Sequence, residues 1–134
     1  MYVAVFANER EMSSHYRAYE PVEALAGRGH RGLVNGADGT LAPEMLECDV
    51  ALISRWQGKG AVKLMEQLHG AGIAVVWGHD DAVEQAGHLF ADRALELQRR
   101  RAEVAAMVRG ADVVVTTSER IAERYREVSS TPVT

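Results

Sequence analysis

The chain is poor in cysteine, lysine, proline and aromatic residues. Its single cysteine, Cys48, excludes an internal disulfide and any zinc site built from cysteines. Lys59 and Lys63 are the only lysines, and 15 basic against 19 acidic residues leave a net charge of -4. Without a basic excess, no nucleic-acid partner is expected. No apolar run approaches the ~18 residues of a spanning helix, so no transmembrane segment is expected. Residues 1–7 lack the basic flank of a secretory leader, and a cytoplasmic, reducing setting follows as the expectation. What is present is ordinary for a globular chain: 47% hydrophobic and 25% charged residues, which excludes disorder as the main state. The 134 residues suit one domain.

The secondary-structure signal alternates along the chain. Short apolar runs rich in β-formers predict strands over 2–7, 31–35, 50–53, 73–77 and 112–116. Between them, helical spacing of apolar residues predicts helices over 14–28, 60–69, 89–109 and 118–127. Pro21 either kinks the first helix or starts a shorter one in its first turn. Gly29 and either Gly70 or Gly72 serve as helix stops. Strands alternating with helices imply βαβ units, and strands apolar throughout imply burial on both faces. The expected fold is therefore α/β: a Rossmann-like, doubly wound parallel sheet of five to six strands with helices on both faces. Residues 129–134 resemble a turn and a strand just begun, hence the expectation that the chain is truncated or the ordered piece of a longer one.

Open parallel sheets bind ligands outside the carboxyl ends of their strands. The residues following each predicted strand make that edge polar. Ser13, His15 and Tyr16 follow the first strand, Arg55 and Trp56 the third, His79, Asp80 and Asp81 the fourth, and Thr117, Ser118 and Glu119 the fifth. Such a rim suits a polar, polyhydroxylated or anionic ligand. Asp80 can serve as a base or orient a hydroxyl, and His79 can donate to a carbonyl or phosphate, so these two are the candidate catalytic residues. The others are candidate substrate contacts.

Structural readings stand beside the functional ones. Asp81 with Glu84 fits a helix cap, as does Ser118. Trp56 and Trp77 fit a sugar-stacking wall or the core. His30 and His69 fit cationic helix ends, and Arg99-Arg100-Arg101 a solvated helix face. Asp81, Glu84 and His88 share a helical face, but a metal needs tighter spacing, so no metal is expected. Glycine-rich dinucleotide and Walker loops are missing, and no cofactor is expected.

The order of several motifs resembles the N-terminal, acceptor-side domain of group-4-like GT-B glycosyltransferases. The motifs are Gly27-Arg28-Gly29-His30-Arg31, Ile73-Ala74-Val75-Val76-Trp77 with Asp80-Asp81, Ala111-Asp112-Val113-Val114-Val115-Thr116-Thr117-Ser118-Glu119, and Ile121-Ala122-Glu123-Arg124-Tyr125. The resemblance implies a two-domain enzyme that moves a sugar from a nucleotide-sugar donor to an acceptor. This domain would hold the acceptor, and a C-terminal domain would hold most of the donor, so the chain alone would be inactive. Two departures stand out: the first strand lacks a following glycine-rich loop, and Gly32 and Gly78 occupy positions where such proteins tend to carry an apolar residue and an acid. The alternatives are a non-catalytic α/β ligand-binding or interaction module, and a fragment whose exposed sheet edge pairs into a homodimer.

Overall fold

A computed structural model describes residues 1–7, 15–35, 42–81 and 93–134. Strand β1 (Tyr2–Phe6) is followed by a π-helical turn (His15–Tyr19) that runs directly into helix α1 (Glu20–Ala26). Then come β2 (Arg31–Asn35), a 3-10 helix (Pro43–Glu47), β3 (Val50–Ser54), α2 (Lys59–Gly70), β4 (Ala74–His79), α3 (Ala94–Gly110), β5 (Val113–Thr116) and α4 (Glu119–Arg126). All strand pairs are parallel, and the five-stranded order is β2-β1-β3-β4-β5. The expected Rossmann-like α/β fold is therefore what the chain adopts. Its final residues add to the far edge: Val133 bridges Val114 in parallel, and Thr116 N–H donates to the Thr134 carbonyl at 2.8 Å.

The period of two along each strand sorts side chains onto two faces. Tyr2, Ala4 and Phe6 join Ala51, Ile53, Val75, Trp77 and Val114 in the larger core. Leu64, Met65 and Leu68 of α2, Val104, Met107 and Val108 of α3, and Tyr125 of α4 close that core from above. Val3, Val5 and Ala7 face the other way, against Ala18 of the π-helical turn and Val22 and Leu25 of α1. Helices thus lie on both faces, as a parallel sheet requires.

Local chemistry sets the ends of these elements. Pro21 lies in the first turn of α1, just after its junction with the π-helical turn. Helices α1 and α2 close in the same manner. Gly29 and Gly72 take φ of 79° and 77°, and the next N–H, of His30 or Ile73, reaches back five residues to the Leu25 or Leu68 carbonyl at 3.0 Å. Of the two stops the sequence offered for α2, Gly72 is the one used. The helix expected over 89–109 begins at Ala94 after a non-helical Arg93; residues 89–92 lie outside the described residues. The 3-10 helix has no counterpart in the sequence expectations. No helix among the described residues is long and apolar enough to cross a membrane.

Two aspartates hold the amino edge. Asp49, just before β3, accepts from the Tyr2 N–H at 2.7 Å and donates its own N–H to the Tyr2 carbonyl. Asp112, just before β5, does the same for Val75 of β4, with distances of 2.7 and 2.9 Å. Each aspartate precedes one strand while satisfying an N–H near the start of the neighbouring one. His69 adds a 3.0 Å contact to Asp112. The Val75 hydrogen bond and His69 together hold the Asp112 carboxyl below its usual range.

Candidate functional site

In the order β2-β1-β3-β4-β5 the chain reverses direction between β1 and β3, and the crevice above that switch point is where such sheets take ligands. The π-helical turn brings Arg17 to one side of it. The other side is supplied by Arg55, directly after β3. Arg55 adopts φ 58°, a left-handed conformation that a side chain disfavours. Its N–H extends the ladder by donating to the Gly78 carbonyl at 2.7 Å, and this bond helps hold the unusual backbone. The turn aims the guanidinium at the residues that leave β4.

Four charges meet there. Arg17 Nη2 lies 2.5 Å from Asp80 Oδ2, and Arg55 Nε lies 3.0 Å from Asp80 Oδ1. The second contact is too far off the N–H axis for a hydrogen bond, so it is an ion pair only. Arg55 Nη2 donates to Asp81 Oδ2 at 2.7 Å. The Asp80 side chain is 9% exposed and Asp81 50% exposed. Asp80 therefore anchors both arginines from below, and Asp81 forms the outer, replaceable partner. Thr117 donates to the Asp80 carbonyl at 3.3 Å, tying the β5 exit to the β4 exit.

His79 belongs to the other side of the sheet. It is 8% exposed, stacks on Trp77 at 4.7 Å between ring centroids, and shares a 2.5 Å hydrogen bond between Nδ1 and the Tyr125 hydroxyl. Burial lowers its pKa to about 4; the carboxylates of Asp80 and Asp81 oppose this, and Arg55 and Arg17 assist it. The imidazole is neutral at physiological pH and serves the core.

The remaining expected residues divide in the same way. Trp56 is half-buried, its carbonyl accepting from Trp77 Nε1 at 3.0 Å, and Trp77 is wholly buried. Ser118 caps α4 by accepting from the Ile121 N–H at 3.4 Å, and Glu119 pairs with Arg126. Tyr16 is 64% exposed on the π-helical turn. His15 begins that turn, while Ser13, Glu84 and His88 lie outside the described residues. Arg17 is the rim residue that sequence reasoning missed. It sits inside a predicted helix, and only the fold places it beside β4.

The charged-face reading holds for two of the three arginines of α3. Arg99 and Arg100 pair with Glu103 and Glu96 one helical turn away. Cys48 is buried, and burial pushes its thiol pKa up. Among the described residues no cluster of three potential metal ligands forms. No protein-family model matches the chain, and no curated protein matches its sequence.

Proposed function

We infer that this chain is the acceptor-side domain of a GT-B glycosyltransferase, holding a neutral, hydroxyl-rich ligand above Arg17, Arg55, Asp80 and Asp81. The observation that carries this reading is the convergence of two arginines and two aspartates from three separate segments at the switch point of the sheet. The two positive and two negative charges cancel. A balanced set of fixed donors and acceptors suits sugar hydroxyls, each of which both donates and accepts, better than a phosphate, which would have to displace Asp81. The order of the glycosyltransferase-like motifs supports the same assignment. Asp80, enclosed between guanidinium groups, acts in this reading as a positioning residue. The nucleotide-sugar partner would be bound mainly by a C-terminal domain, and the buried free thiol of Cys48 fits a cytoplasmic setting.

Saturation-transfer NMR of the chain against a panel of neutral oligosaccharides tests the reading. Saturable contact with a carbohydrate is expected, and Arg55→Gln removes it. A panel with no carbohydrate contact refutes the acceptor role. Preferential binding of inorganic phosphate, weakened by Arg55→Gln, instead favours the alternative of a non-catalytic anion-binding module; the feature behind that alternative is the enclosure of Asp80, the carboxylate expected to act as a base.

A further inference from the structure

Among the described residues, the sheet face bearing α1 is only partly covered. Ala18 and Val22 lie over β1 and β2, but above β3, β4 and β5 there remains a groove of about 560 Å³, within the range of small-molecule sites. Val50 and Leu52 of β3, Val76 of β4 and Val115 of β5 form its aliphatic walls. Val115 is 39% exposed, whereas its neighbour Val114, on the other face, is wholly buried.

Three features at the carboxyl end of the groove point to a ligand with a polar head. Gly78 stands in the groove wall, yet a Cβ there would meet only Leu52 Cδ1 at 3.5 Å and the Ile53 carbonyl at 4.0 Å, both ordinary contacts. The backbone does not demand glycine at this position; its missing side chain is open space. Ser54, 7% exposed, lines the groove and brings a hydroxyl to this end of it. A serine hydroxyl can donate to an acceptor on a bound ligand. Arg17 is the one charged residue lining the groove among the described residues, and it is 35% exposed. Asp80 engages its Nη2, and a guanidinium has further N–H donors to offer.

We propose that this groove binds a monomeric single-chain carboxylate of the fatty-acid type. The aliphatic tail lies along Val50, Leu52, Val76 and Val115 toward the amino edge of the sheet. The carboxylate lies beside Gly78 and accepts from the Ser54 hydroxyl and the Arg17 guanidinium, which gives the groove both its apolar length and its charge complement. The site adjoins the charged rim through Arg17 but does not depend on the glycosyltransferase assignment.

Calorimetric titration of the chain with decanoate, kept below its micelle concentration, tests the proposal. One saturable site per chain is expected. Gly78→Val, which fills the groove with a good strand former, weakens it at least tenfold, as does Arg17→Gln. Acetate, the head without the tail, does not bind. Gly78→Ala gives a smaller loss and Ser54→Ala a loss of several-fold, and these two keep the test decisive if valine at position 78 impairs folding. Carbohydrate contact retained in Gly78→Val separates this groove from the rim. No saturable decanoate binding overturns the proposal, as does undiminished binding by a natively folded Gly78→Val. It is also overturned by a concentration-dependent dimer in sedimentation that Gly78→Val abolishes, because the occupant would then be a second copy of the chain.

Discussion

The buried His79 ties the stability of the domain to pH in a window set by one side chain. An imidazole titrates near 6.5 in an unfolded chain, and burial lowers this to about 4 in the folded protein. Between those values the unfolded state binds a proton that the folded state refuses. The stability contribution is therefore complete above pH 6.5 and is lost as pH falls toward 4. A difference of that size amounts to about 3 kcal/mol in full, with about 2 kcal/mol already gone at pH 5. That is a large share of the ~5–15 kcal/mol that holds a typical domain together. The groups facing the ring work against one another: Asp80 and Asp81 favour the proton, Arg55 and Arg17 oppose it, and burial outweighs them all. Urea unfolding followed by circular dichroism at pH 7, 6 and 5 measures the slope, and the difference between wild type and His79→Gln isolates the histidine from the carboxylates. The variant is expected to lose most of the slope between pH 6.5 and 5, whatever its stability at pH 7. Equal slopes in the two proteins, or an imidazole that titrates by NMR near 6.5, would refute the reasoning.

Three further outcomes are expected. Gly32→Ala places a Cβ 2.5 Å from Val22 Cγ1, so it should destabilise the domain by about 1–3 kcal/mol, and a second change, Val22→Ala, should recover part of the loss in chemical denaturation. Asp112→Ala strips the Val75 N–H and His69 of their shared acceptor and should cost about 1–3 kcal/mol at neutral pH. Because the Asp112 pKa is lowered in the folded state, its contribution is present above the ordinary carboxylate pKa and disappears as pH falls through the folded value, so wild type and variant should converge in stability in acid. Ser118→Ala removes the cap of α4 and should lower the unfolding free energy by about 1 kcal/mol, read from the denaturation midpoint, whereas Ser118→Asp should retain most of it.

Gly32 shows how a sequence signal can be right about cost and silent about cause. A glycine in a strand interior announces weakness. The reason for it here is the close approach of α1, which no local pattern reveals. The aspartates before β3 and β5 are similar. Asp112 stood out in the sequence only as part of a family-like motif, and Asp49 did not stand out at all. Together they form one repeated device, each bonding to the strand beside its own.

The sequence by itself determined the alternation of strands and helices, the parallel α/β architecture, the glycine closures of α1 and α2, and the cap at Ser118. Each depends on residues a few positions apart, where backbone sterics and local hydrogen bonds decide the outcome. Tertiary structure alone decided which polar strand-end residues meet. Residues one position apart on a strand point to opposite faces. His79, at the end of β4, turns inward to Tyr125, while Asp80, just beyond the strand, meets Arg17 and Arg55. The sequence placed His79 and Asp80 together as one site, and the pleat of the sheet, with the packing of α4 against one face of it, separated them.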